Sequence, residues 1–130
     1  MNMKLRVITI AIFSLFIFTN LPIINKIILR EIDGNRHFRY SNADGSFTII
    51  QDFGFKDGLI QADWVMGRFI RENKPSPGNR VLYRLYKINP LCFWRWSFYI
   101  FSSRKFPYRS WEDIEPNRMP YKPNNMWQDF

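Results

Sequence analysis

Residues 7–25, VITIAIFSLFIFTNLPIIN, run nineteen positions without a charge between Arg6 and Lys26. At about 1.5 Å of rise per residue they cover roughly 28 Å as a helix, close to the ~30 Å of hydrocarbon that a spanning helix must match. Ile8, Ile10, Ile12, Phe13, Leu15, Phe16, Ile17 and Phe18 point all round such a helix instead of forming one stripe, as lipid exposure requires. A buried helix of a soluble core is the competing reading, but a chain of 130 residues has little core in which to hide one on every side. Residues 1–30 therefore read as a transmembrane signal anchor, with Pro22 kinking or pausing the helix near Asn20 before it restarts through Ile23 to Ile28.

A cleaved secretory signal begins in the same way, but signal peptidase needs small side chains just before the cut. After Ala11 there is no alanine before Ala43, and the stretch from Phe18 to Ile24 offers no small-x-small pattern, which favours retention. The only cysteine, Cys92, lies far beyond the apolar run, so lipoprotein processing is closed. Lys4 and Arg6 argue for a cytoplasmic N-terminus, whereas Lys26, Arg30, Arg36 and Arg39 pull the other way under the positive-inside rule. A signal anchor with those leading bases implies a single-pass inner-membrane protein whose C-terminal domain is periplasmic or extracellular.

Working outward, residues 31–115 are enough for one small α+β domain, here expected to hold two β-hairpins and one amphipathic helix. Thirteen Phe, six Tyr and five Trp supply the burial that so small a domain needs. The first hairpin pairs residues 36–40 with residues 46–50 across Ser41-Asn42-Ala43-Asp44-Gly45, where Asn and Asp supply turn hydrogen bonds and Gly45 supplies positive φ. That turn lacks the further acids of a calcium loop, with Gln51 at the closing position. Leu59, Ala62, Met66, Phe69 and Ile70 recur at helical spacing, predicting a helix from Leu59 to Glu72 with Asp57 as its N-cap; a strand through Trp64, Val65 and Met66 is the alternative. Residues 80–88 and 91–101 read as a second hairpin across Asn89-Pro90, with Cys92, Trp94, Trp96, Phe98 and Ile100 on one apolar face. As a second membrane helix, residues 91–101 are too short and carry Arg95 in the middle. Ser110 caps a short helical turn at Trp111 to Ile114, and residues 116–130 form a Pro-rich tail that Tyr121, Met126, Trp127 and Phe130 can pin to a surface.

Between Glu72 and Glu112 the chain has no acid, while Lys74, Arg80, Arg84, Lys87, Arg95, Arg104, Lys105 and Arg109 are interleaved with eleven aromatics. Arg84, Lys87, Arg95, Trp96, Arg104, Lys105 and Arg109 are the candidate partner- or lipid-binding residues. Arg, Trp and Tyr most often carry binding energy at protein interfaces, so an acidic protein partner is the first expectation, as for an envelope accessory subunit or an immunity-type inhibitor. Anionic headgroups are the alternative, since each base near such a surface gains about 1 kcal/mol. Nucleic acid fits the stacking chemistry but not an outward-facing anchor. The bland alternative is a basic solvent face over an aromatic core. One histidine, His37, without a second ligand at metal spacing, and no phosphate loop or nucleophile elbow, point away from catalysis and imply no cofactor.

Overall fold

The structure, a computed structural model, describes residues 2–33, 37–53 and 61–130. Helix α1, Met3–Thr19, opens with Asn2 accepting from the Lys4 amide and closes at Asn20. Leu21 is extended, and Pro22 occupies the first turn of α2, Pro22–Ile28, where its missing N–H costs nothing. A π-helical turn, Leu29–Asp33, follows. The proline break thus falls where the sequence puts it, but the consequence is larger than a kink. No single helix among the described residues is long and apolar enough to cross a membrane. Only α1 together with Pro22–Asp33 has the length and composition of a span, and that pair is bent by 84°. The kinked span expected over residues 7–25 is therefore replaced by a 17-residue rod and a sharply bent elbow.

The first hairpin forms as expected: β1, Arg39–Ser41, pairs antiparallel with β2, Thr48–Ile50, in the register Tyr40 opposite Ile49. Its turn is closed locally. Phe47 N–H donates to Asn42 Oδ1 and Ser46 N–H to Asp44 Oδ1, while Gly45 sits at φ +69°. Helix α3, Gln61–Asn73, buries Ala62, Met66 and Phe69, which settles helix over strand; the expected cap at Asp57 and the first residues, 59 and 60, lie outside the described residues.

The second hairpin is a correction. Strand β3 is only Tyr83–Arg84, paired antiparallel to the other edge of β1, so the sheet order is β2-β1-β3. Residues 91–101 are helical instead: a 3-10 turn, Phe93–Arg95, runs into α4, Trp96–Phe101. The outer edge of β3 is already taken, because Arg84 N–H donates to Pro107 O and Arg109 N–H to Arg84 O. With no open ladder to join, residues 91–101 satisfy their backbone within a helix. Helix α5, Trp111–Ile114, follows, with Ser110 capping the Glu112 amide at 3.2 Å. Residues 127–129 lie along the free edge of β2, with Thr48 N–H donating to Trp127 O and Asp129 N–H to Thr48 O. Both sheet edges are thus covered by their own chain, which removes the pairing hazard of an open edge.

The core is an aromatic stack between sheet and helices. Phe38 and Phe98, both fully buried, meet edge to face at 4.5 Å, and Phe53 and Tyr86 close on them at 5.3 and 4.9 Å. Two buried hydroxyls are satisfied in a chain, Tyr40 to Tyr86 to Ser103, at 2.7 Å each. Desolvation in this core pushes the Tyr86 hydroxyl up to about 12, against the hydrogen bonds from Ser103 and Tyr40, and pushes Tyr40 up as well.

Candidate functional site

Helix α1 keeps its apolar side chains outside the domain on every side; Phe13 is 65% exposed and Ile10 likewise 65%. Among the described residues of α1, burial is confined to its last turn. Thr19 is buried, and half-buried Phe16 stacks on the Trp96 indole at 5.2 Å and meets Phe93 edge to face at 5.0 Å.

Two asparagines fasten this end of α1 to the start of α4. Asn20 Nδ2 donates to Phe16 O (2.8 Å) and to Phe93 O (2.9 Å), while its Oδ1 accepts from the Ser97 amide (2.8 Å). One side chain therefore serves a free carbonyl of α1 and a free N–H of α4 at once. Asn25, buried in α2, donates to Thr19 O (2.9 Å) and Trp94 O (2.5 Å), which holds the 84° bend closed.

Below the asparagines, Asp33 at the end of the π-helical turn meets Arg95. The carboxylate pairs with both ends of the guanidinium and also accepts from Trp94 Nε1 at 3.1 Å. The Asp33 side chain is 3% exposed and that of Arg95 12%. Burial opposes the Arg95 charge, but the hydrogen bonds it donates to Asp33 and Tyr99 outweigh it and hold the pKa above the usual value. Arg95 Nη1 also lies 3.0 Å from His37 Nε2. Burial, then the Arg95 charge, lower the His37 pKa, with Asp33 working against them.

The outer face of α4 is apolar. Trp96, Ile100 and Phe101 are 40%, 53% and 66% exposed, and with Phe13, Phe16 and Ile17 they line an open groove of about 340 Å³. A second hollow on the far side of Trp96 and Ile100 is bounded by Ile88, Pro90, Tyr99 and Arg104. Leu91, just before this turn, is 85% exposed.

The bases of the block take different roles. Arg84 is consumed by the fold, donating to Phe106 O (3.1 Å) and Tyr86 O (2.6 Å). Arg95 points inward to Asp33, and Trp96 turns to α1. Arg104 and exposed Lys105 follow α4 on a 3-10 turn. Lys87 and Arg84 lie over Tyr108 at 6.0 and 5.4 Å, and Arg109 over Tyr83 at 5.3 Å, a separate strip along β3. Sequence reasoning missed Asn20, Asn25 and Asp33. The signal for the first two was present: an amide inside an uncharged run needs a partner wherever that run is not in water. Among the described residues, no three His, Cys, Asp or Glu side chains converge. No family model, curated protein or solved structure matches the chain.

Proposed function

We propose that this protein is a membrane-anchored binding protein, with α1 as its signal anchor and the compact domain held against the lipid surface on the outer, periplasmic or extracellular side. The observation that carries the reading is the full-circumference apolar exposure of α1 up to the single turn that joins the domain. A helix with no polar face has lipid as its natural solvent. A rod of 17 residues measures about 25 Å, a few ångströms short of the hydrocarbon layer. Lys4 and Arg6 at one end have the reach to snorkel and cover the mismatch. Arg104 and Lys105, exposed beside the apolar face of α4, suit anionic headgroups.

An acidic protein partner is the second reading. It is favoured by the strip of Lys87, Tyr108 and Arg109 along β3, which the fold does not consume.

The test is membrane extraction of the full chain with Ile10→Lys and Leu15→Lys, both exposed on α1. Each lysine costs about 3 kcal/mol near the bilayer centre. The parent is expected in the carbonate-resistant membrane pellet and the double variant in the supernatant. Equal release of both would overturn the anchor, and a reporter fused at Phe130 that is active only in the cytoplasm would overturn the outward orientation.

A further inference from the structure

We propose that the outer face of α4, Trp96, Ile100 and Phe101 with Leu91 beside it, is seated in the headgroup layer of the leaflet from which α1 emerges, so that the domain is docked on the bilayer at a fixed angle and does not swing on a tether. This rests on the reading of α1 as the anchor.

The position of α4 along α1 is the first reason. The groove between them is lined on the α1 side by Phe13, Phe16 and Ile17 of its last two turns and by Asn20 at its C-cap. From Phe13 to Asn20 the axis rises about 11 Å. The whole of α1 is needed to approach the ~30 Å of hydrocarbon, so its last two turns sit at membrane depth and carry the neighbouring α4 face with them.

Rigidity is the second. Asn20 and Asn25 bind the backbone of Phe93, Trp94 and Ser97 directly, and the Arg95–Asp33 pair locks the same turn to the end of the elbow. These contacts fix the described residues of the elbow directly to the start of α4. The 84° bend also lays α2 across the axis of α1, so a membrane-normal α1 places α2 in the plane of the interface, where exposed Ile23 and Ile27 meet the same boundary.

Chemistry is the third. The Trp96 indole N–H is satisfied by Pro90 O at 2.8 Å, so the part of the ring that Phe16 leaves uncovered can sit among acyl carbons and headgroups without an unpaired donor. Arg104 borders the hollow beside Trp96 and Ile100 and offers a cation for a lipid phosphate there. Lipid is therefore a better occupant than a second copy of the chain, since the α4 face is continuous with the surface of α1 and shares its solvent.

The test uses the full chain in phosphatidylcholine vesicles. Single cysteines replace Phe13, Ile100, Phe101 or Lys122 in a Cys92→Ser background, each carrying an environment-sensitive fluorophore. Labels at 100 and 101 are expected to lose most of their emission to a nitroxide lipid quencher placed near the headgroups, the label at 13 to a nitroxide placed deep in the acyl chains, and the label at 122 to neither. Quenching at 13 with none at 100 or 101 would overturn the docking and leave the anchor standing. No quenching at 13 would overturn the anchor and the docking with it. A blue-shifted but unquenched label at 100 or 101 would assign the face to a protein neighbour instead. Without any label, bromolipid quenching of tryptophan emission should fall on Trp96→Phe; an unchanged quenched fraction would also overturn the docking.

Discussion

Replacing Arg95 by Met would remove the cation from a carboxylate that has almost no other access to water. The Asp33 side chain is 3% exposed, and after the change, among the described residues, only Trp94 Nε1 still donates to it. Removing one partner of such a pair costs about 3–5 kcal/mol, because the remaining charge stays buried and uncompensated. Against the ~5–15 kcal/mol that holds a whole domain together, that is a large fraction. For a domain of about 100 residues it corresponds to a fall in melting temperature on the order of 15 °C. Pairing Arg95→Met with Asp33→Asn removes the stranded charge while keeping an acceptor for Trp94, so the double variant should recover more than half of the loss. The assay is thermal unfolding of the full chain in detergent micelles, followed by near-ultraviolet circular dichroism, which reads the aromatic core directly. A single variant within about 1 kcal/mol of the parent, or a double variant that simply adds the two losses, would refute the buried pair. Arg95 would then return to the exposed binding face that its sequence context suggests.

His37 gives a pH dependence of known sign. Its folded pKa lies below the ordinary 6.5, so the unfolded chain takes up a proton first as pH falls. Stability is then constant above 6.5 and declines below it; His37→Gln, which retains an acceptor for Arg95, should flatten that slope in denaturant melts, and an unchanged slope would exonerate the histidine. Gly45→Ala forces a side chain into φ +69° with its Cβ 2.9 Å from Arg118 Cβ, so a loss of about 1–2 kcal/mol is expected from backbone strain before any clash is counted. A melting temperature equal to the parent would mean the turn relaxes freely. Trp127→Ala strips the cover from Phe69 (5.5 Å) and Phe47 (6.5 Å) and should cost about 2–3 kcal/mol, with faster proteolysis after residue 116; a protease-resistant variant would show that the backbone pairing of residues 127–129 to Thr48 is enough.

The parts of this fold legible in the sequence are those whose causes are local. The β1–β2 turn is closed by Asn42, Asp44 and Gly45 through bonds spanning at most five residues. The apolar positions Ala62, Met66 and Phe69 of α3 repeat at helical spacing, which favours helix over the strand through Trp64, Val65 and Met66 and marks the face that is buried. Pro22 breaks the helix wherever it stands, because a missing N–H and a ring clash are properties of the residue.

Residues 91–101 are the opposite case. Almost every side chain there is apolar, so a period of 2 and a period of 3.6 fit equally well and the pattern carries no choice. The choice was made elsewhere, by residues 107–109 occupying the edge of β3 and leaving no ladder to join. The same holds for charge. The run from Lys74 to Arg109 reads as one basic block, but the directions of Arg84, Arg95 and Arg104 differ once the backbone turns from strand to helix. Asn20 and Asn25 find their partners 73 and 69 residues away. By itself the sequence determined that residues 7–25 carry no charge and no polar stripe, that Pro22 interrupts them, and that the remainder folds around its aromatics. Only the tertiary structure decided that the interruption is a fixed elbow bearing α4 against α1, because amide side chains and a buried ion pair act on whatever the whole chain brings within hydrogen-bonding reach, and no local pattern records that.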